Sequence, residues 1–389
     1  MRTFTRREWL ELAAGATAAL AWPARGATGT VRIGAVLELS GAASLWGKPQ
    51  RESIQMVADE LNQKGGVGGA KIEIVAYDNE SNETKSLILA KRLVEEDKVA
   101  GIIGAGTTPT TMPIVPYASQ AGVPLVSMGS ADVIVNPPAE RHWIFKTANN
   151  SSDIARKMLS YLTAKQLSPV VFLSVNNAYG DAGRAQFEKL AGPAGIKVAA
   201  WEKFGATDKD MKPQLTRARA AGPKAIVVWA IPPAAALVAR NAAELGLPRE
   251  LQMVHDHGAG SSPAFIELSG GGAEGTVLVT AKLAVADQLP ASDPQKAVLG
   301  AYLDGYRKRA GQQASAIGGM AYDAMLLYAK ALEAAGPDRA GLRDAIERTA
   351  GLVGVTGVFH LRPDDHNGLT VKDLELARVE RGRQVRIVL

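Results

Sequence analysis

The stretch VAGIIGAGTTPTTMPIVPYASQAGVPLVSMGSAD, Val99 to Asp132, decides the reading of the fold. An apolar run, Val99 to Ile103, breaks into Gly104, Gly106 and a block of threonines. A second run, Val123 to Val126, ends in Ser127, Gly129 and Ser130. Two buried strands around a short helix, each ending in glycine and hydroxyl residues, predict an open α/β sheet. In such sheets ligands settle beyond the carboxyl ends of the strands. Thr107, Thr108, Thr110 and Thr111 can cap the helix or stand free as hydroxyls, and the glycines let backbone N–H groups come close. An anion can be held there without a catalytic group. A plain capping role fits the same residues. Pro113 suits a first helical turn, whereas Pro116 is expected to kink or shorten the helix beyond it.

Outward from this stretch the chain alternates strand and helix. Val31 to Leu37 and Lys71 to Tyr77 read as strands, with helices over Gln50–Gln63 and Thr84–Glu95. Lys64-Gly65-Gly66-Val67-Gly68-Gly69 lacks the Gly-Lys-Ser/Thr of a phosphate loop and reads as a turn. After a crossing near Phe145 to Ala148 the cycle restarts, with strands at Val170–Val175, Val198–Phe204, Ala225–Ile231 and Gln252–Val254. Long helical patterns come after Thr276–Ala281, and a terminal hairpin is expected over Leu374–Val388. A chain of 389 residues exceeds one typical core, and two successive α/β sets predict two similar lobes. The boundaries expected are 29–146 plus 281–355 for one lobe and 147–280 plus 356–389 for the other, so that the chain crosses between lobes three times.

Residues 1–26 read as an export signal rather than as fold. Arg6-Arg7 followed by Trp9-Leu10 is a twin-arginine pattern, with an alanine-rich apolar stretch to Trp22 and small residues at Ala24 and Gly26. The stretch is too short and weak for a membrane span. The absence of cysteine excludes disulfides, thiol catalysis, thiolate metal sites and a lipidated N-terminal cysteine. A net charge of +5 without basic runs gives no sign of a nucleic-acid partner.

The chemistry-bearing side chains are sparse. Acidic residues are scattered without a pair suited to acid/base work, and G-x-S-x-G is missing. His255-Asp256-His257 is the one polar cluster that stands out. Residues two apart on a strand share a face, so both imidazoles can reach one metal. No helical His pair or second carboxylate accompanies them, and the other reading puts the cluster at a strand end with one or two members lining a cleft. His142, His360 and His366 are isolated and expected at the surface. Trp46, after the first strand, and Tyr179, in Asn176-Asn177-Ala178-Tyr179-Gly180, can each wall a pocket or pack beneath a loop.

With these residues in place, the chain resembles the periplasmic binding proteins of the leucine/isoleucine/valine type, which serve ABC importers. The likeness rests on VRIGAVLELSGAASLWG, KGGVGGAKIEIVAYDNE, GIIGAGTTPTT, GVPLVSMGS, NNAYGD and the AEGTVLV run, in that order, over essentially the whole mature chain. It implies a type I periplasmic binding fold: two doubly wound parallel-sheet lobes joined by a three-crossover hinge and closing over a ligand. It also implies that Thr108, with Thr107 beside it and the backbone around Gly129, meets a ligand carboxylate. Trp46 then lies near the ligand's side chain, and Tyr179 meets it on closure. The family threonine that helps fix the ammonium falls at Ala131, with Ser130 adjacent; the family acid falls at His257, with Asp256 adjacent; a bulky wall residue falls at Gly319. The expected function is therefore a monomeric periplasmic receptor without cofactor or metal, not an enzyme. It would deliver a small carboxylate, a hydrophobic amino acid first, to an ABC permease. An aromatic or other non-amino carboxylate, a ligand sensor of the same fold, and a metal-dependent hydrolase using His255 and His257 are the alternatives.

Overall fold

A computed structural model describes residues 29–248 and 250–389; the expected signal, residues 1–26, lies outside them. Five strands form the first sheet: β1 (Thr30–Leu37), β2 (Lys71–Asp78), β3 (Gly101–Gly104), β4 (Leu125–Ser127) and β5 (Ile144–Lys146). They are parallel throughout, in the order β2-β1-β3-β4-β5. Side chains alternate across a strand. Ile33, Ala35 and Leu37 of β1 therefore pack with α1 (Ser44–Gln63), while Val36 packs with α2 (Glu83–Glu95) on the other face.

The proline-rich segment is split rather than kinked. A short α3 (Thr108–Thr111) is followed by α4 (Ile114–Ala121), with Pro113 as the latter's N-cap. Pro116 is the third residue of α4, where a missing N–H costs no intrahelical bond. The expected helix at Gln50 begins earlier, at Ser44, and runs through Pro49, forgoing one hydrogen bond. Trp46 consequently stands in a first helical turn instead of a loop.

The second sheet repeats the winding. Its parallel strands are β6 (Val170–Val175), β7 (Val198–Phe204), β8 (Ala225–Trp229), β9 (Gln252–His255) and β10 (Val277–Ala281). A small antiparallel pair, β11 (Ala350–Val353) and β12 (Val358–His360), stands apart. The terminal hairpin β13 (Leu374–Glu380) and β14 (Arg383–Ile387) extends the second sheet antiparallel to β10, giving β14-β13-β10-β9-β8-β6-β7. Helices α5 (Ser151–Ala164), α6 (Ala178–Ala191), α7 (Lys212–Ala220) and α8 (Ala234–Glu244) cover it, burying Met158, Phe187, Leu215 and Val238 with the strands. Two short helices, α9 (His257–Gly260) and α10 (Pro263–Leu268), follow β9.

After β10 the chain returns to the first lobe through α11 (Lys296–Ala310), α12 (Ala316–Ala335) and α13 (Arg339–Glu347). Met320, Ala324 and Tyr328 of α12 enter the core of the first lobe. The Tyr328 hydroxyl donates to the carbonyls of Pro124 at 2.6 Å and Ile102 at 3.1 Å. The final passage into the second sheet comes at Leu374, later than the boundary expected at residue 356. Leu361 still belongs to the first lobe's core. His366, expected at the surface, is buried, with Nδ1 2.9 Å from the Ile144 carbonyl and Nε2 3.1 Å from a Glu347 carboxylate oxygen. The Asn367 amide donates to the carbonyls of Lys146 at 3.3 Å and Ala148 at 2.9 Å, tying the first and last crossings together.

Gly101 lies under the Tyr328 ring, and a Cβ there would overlap it. Gly101→Ala should lower unfolding stability by about 1–3 kcal/mol through overpacking. Gly300→Ala, in α11 with open space around it, should raise stability by about 0.5–1 kcal/mol. Urea titration of the two variants beside the wild type checks both signs.

Candidate functional site

In each sheet the winding direction reverses once, between β1 and β3 in the first and between β6 and β8 in the second. The loops leaving the carboxyl ends of strands flanking such a reversal diverge and leave a crevice. The two crevices face each other across one cleft. The first lobe contributes Trp46, Thr107, Thr108, Gly129 and Ser130, and the second contributes Tyr179, Ile231 and His257. The lobes also touch: Ala182 of α6 packs on the first lobe's core, and Ile231 packs with Trp46 and Ile317. The cleft holds about 170 Å³. An apolar cavity of about 150 Å³ accommodates benzene, so this one suits a ligand with a single ring or a branched chain.

Capping does not occupy the threonine block. Thr107 is the N-cap of α3, yet its side chain makes no capping bond; its Oγ1 lies 2.7 Å from the Oγ1 of Thr110. Thr108 is buried, and its Oγ1 accepts the Ala131 N–H at 3.3 Å, which leaves the hydroxyl proton for another acceptor. Among the described residues the amides of Thr108 and Ser130 find no backbone or side-chain acceptor. Gly129, by contrast, gives its N–H to Ser127 Oγ at 3.0 Å, so its amide is already engaged. Its part is close approach, since a Cβ would sit 3.2 Å from the backbone of Thr108 and 2.7 Å from Ile134.

The buried Lys146 ammonium donates to the carbonyls of Ser130 at 2.8 Å and Ala131 at 3.3 Å. That engages both carbonyls and sets a buried amine against the Ser130 turn. Burial pushes the amine down to about 8, and Asp132, Asp153 and Asp365 oppose that shift.

The second lobe brings Tyr179 and Asp256 together. Asn177 caps α6 by accepting the amides of Tyr179 at 3.0 Å and Gly180 at 3.2 Å, which fixes the tyrosine's turn. The Tyr179 hydroxyl donates to Asp256, whose other oxygen accepts the Ala259 N–H at 3.3 Å as the cap of α9. Burial raises the Asp256 carboxyl to about 7 against the lowering effect of those bonds. Asp256 is thus turned behind Tyr179 and does not line the cleft, whereas His257 does. Burial holds the His257 imidazole down to about 4, so it is neutral near pH 7, with Nε2 3.0 Å from Ser261 Oγ. His255 ends β9 and is buried against Phe265, ring centroids 4.8 Å apart. The two imidazoles therefore do not share a strand face, and no cluster of metal-ligating side chains exists among the described residues.

Gly319 is not the wall position that resemblance suggested. A Cβ there would run into Val355, and its neighbour Met320 is the residue that lines the cleft. Sequence reasoning also missed Ile231 and Met320, which had no local signature, and the importance of Thr110, which stood in plain view within the threonine block.

Two wound lobes closing on one lined cleft are the architecture of a solute-binding protein. The chain belongs to the periplasmic binding protein family, whose model matches residues 30–384. It is 26% identical over 313 residues to a leucine-, isoleucine-, valine-, threonine- and alanine-binding protein of Pseudomonas aeruginosa, covering 80% of each chain. An extracellular ligand-binding receptor from Rhodopseudomonas palustris HaA2 superposes with a TM-score of 0.86 at 26% identity, over 92% of this chain and 99% of that one. A solute-binding protein of an ABC transporter from Rhodopseudomonas palustris BisB5, in complex with 3,4-dihydroxy benzoic acid, shares the fold. Its TM-score is 0.78 at 21% identity, over 92% and 96% of the two chains.

Proposed function

We propose that this protein is the periplasmic receptor of an ABC importer, acting as a monomer without catalysis, and that it captures a small carboxylate with an apolar body. The observation behind this reading is the free donor set of Thr108 Oγ1–H and the Thr108 and Ser130 amides. It lies beside the buried Lys146 amine, in a cleft whose lining also includes Trp46, Tyr179, Ile231 and Met320. Charge-assisted hydrogen bonds to a carboxylate are the strong ones, while the apolar wall takes the rest of the ligand. The lining favours an acid without an α-ammonium, such as a benzoate-type or 2-oxo acid. His257 carries no counter-charge, Asp256 faces Tyr179, and Glu83 stands exposed at the rim. A hydrophobic amino acid is the second reading, supported by the specificity in the name of the Pseudomonas relative. It requires Asp256 to leave Tyr179 and turn inward.

Delivery to a permease rather than to a sensor partner follows from the role of such receptors in importers. Export by the twin-arginine route follows from Arg6 and Arg7; replacing both with lysine should leave precursor in the cytoplasm, and normal maturation of that variant contradicts the route.

Calorimetry with leucine, 4-methyl-2-oxopentanoate and benzoate tests the ligand class. We expect at least one of the two non-amino acids to bind more tightly than leucine. Thr108→Val should weaken that binding about tenfold to a hundredfold, as loss of a charge-assisted bond of about 1.5–3 kcal/mol requires. The variant should also lose about 1 kcal/mol or more of stability, because the Ala131 N–H is left without its acceptor. Tight leucine binding that disappears in Asp256→Asn establishes the second reading. No binding by any of the three contradicts the carboxylate assignment.

A further inference from the structure

Directly behind the threonine block lies a buried acid with no part in holding the carboxylate. Glu38 follows β1 at the crevice and is fully buried. One carboxylate oxygen accepts the Thr110 hydroxyl at 2.5 Å and the Asn79 amide at 3.2 Å; the other accepts the Gly106 N–H at 3.1 Å. Gln50 of α1 fills the remaining side, its amide buried and without a partner among the described residues. A Cβ at Gly106 would strike both Glu38 and Gln50, so glycine is what lets the acid sit this close to the site.

The groups facing Glu38 from α1, from the turn after β2, from the β3–α3 loop and from α3 are Gln50, Asn79, Gly106 and Thr110, all uncharged. The neighbouring acids look elsewhere: Asp78 accepts from Ser40 and Glu80 pairs with Lys85. Burial raises the Glu38 carboxyl above the usual range, and the hydrogen bonds from Thr110, Asn79 and Gly106 only partly offset it.

The direction of the hydroxyl chain depends on whether that carboxyl holds a proton. A carboxylate cannot donate, so when Glu38 is ionised Thr110 spends its proton on it, and the Thr107 hydroxyl must donate to Thr110. Thr107, which lines the cleft, then shows only lone pairs to a ligand. When Glu38 is protonated it donates to Thr110, whose own proton turns to Oγ1 or to the carbonyl of Thr107, 3.2 Å away. The Thr107 hydroxyl proton is released towards the cleft.

We propose that Glu38 is a positioning residue which, through Thr110 and Thr107, couples capture of a carboxylate to uptake of one proton from solvent. The proposal rests on the carboxylate reading of the cleft. An anionic ligand beside Thr107 is served by a donor there and is repelled by an ionised Glu38, so binding and protonation favour each other. Such linkage is reciprocal. Affinity falls as pH rises above the Glu38 pKa of the unliganded protein, by about tenfold per pH unit at most, and levels off above the pKa of the complex.

The test is calorimetry of whichever acid of the leucine, 4-methyl-2-oxopentanoate and benzoate panel binds best, in buffers of different ionisation enthalpy across neutral and mildly acidic pH. Wild type should take up as much as one proton per ligand, and its affinity should weaken with rising pH. Glu38→Gln should take up none and bind with little pH dependence. Thr110→Val, which cuts the chain but leaves the acid, should keep less uptake than wild type. Should Glu38→Gln not fold, the carbon-13 signal of the Glu38 carboxyl decides, and it should titrate at higher pH with ligand than without. Uptake that survives Glu38→Gln, or that disappears only in Asp256→Asn, assigns the proton elsewhere and overturns the proposal, as does a Glu38 signal that ligand leaves unmoved. Failure of all three acids to bind wild type falls on the carboxylate reading and takes the coupling with it.

Discussion

Parallel strands all end on the same side, and that constraint organises this molecule. A parallel sheet must cover both faces with helices, so its only open edge for chemistry is the row of loops at the strand carboxyl ends. Here two such sheets point their carboxyl ends at one another, and each has its winding reversal next to the cleft. The segments that leave β1, β3 and β4 supply Trp46, the threonines and Ser130. Those after β6, β8 and β9 supply Tyr179, Ile231 and His257. Met320 comes from elsewhere, the second turn of α12, which enters the first lobe's core.

The cleft wall is held from behind by buried ionisable groups. Lys146 fixes the Ser130 turn, Glu38 fixes the β3–α3 loop, and Asp256 fixes Tyr179. Removing a charge from water is costly unless it is hydrogen-bonded, and each of these groups has such partners. What they gain for the protein is geometry: carbonyls engaged by Lys146, hydroxyls aimed, an aromatic ring held in place. The positive member lies beneath one end of the donor set and an acid lies behind the other, so the site is electrically asymmetric without any charged side chain in its inner lining.

The winding of the fold was legible because buried parallel strands leave continuous apolar runs, and each strand in the Val99–Asp132 stretch ended where glycine and hydroxyl residues began. Thr107, Thr108, Ser130 and Tyr179, which line the cleft, follow the ends of such runs, but residue type alone left the threonines open as caps and Tyr179 open as packing beneath a loop. What stayed hidden depends on direction, which residue type does not encode. Asp256 and His257 are adjacent, and only the cap of α9 decides that the carboxylate turns to Tyr179 while the imidazole meets the cleft. The backbone around Gly129 was expected to meet a carboxylate, but which amide is free depends on direction: Gly129 spends its N–H on Ser127, two residues back, and the neighbouring Ser130 amide is left without an acceptor among the described residues. His366 read as a surface residue because its partners, Ile144 and Glu347, are distant in sequence. Glu38, inside VRIGAVLELSG, drew no reading of its own, since nothing local announces that Gly106 and Thr110 close over it.

A ligand that bridges the lobes stabilises the arrangement in which Ala182 and Ile231 of the second lobe reach the first. Small-angle X-ray scattering of the protein with and without a saturating carboxylate measures this directly. The radius of gyration should be smaller with ligand, and the bound-state profile should match this closed geometry. Identical profiles in the two samples, with calorimetry showing the ligand bound, would contradict it.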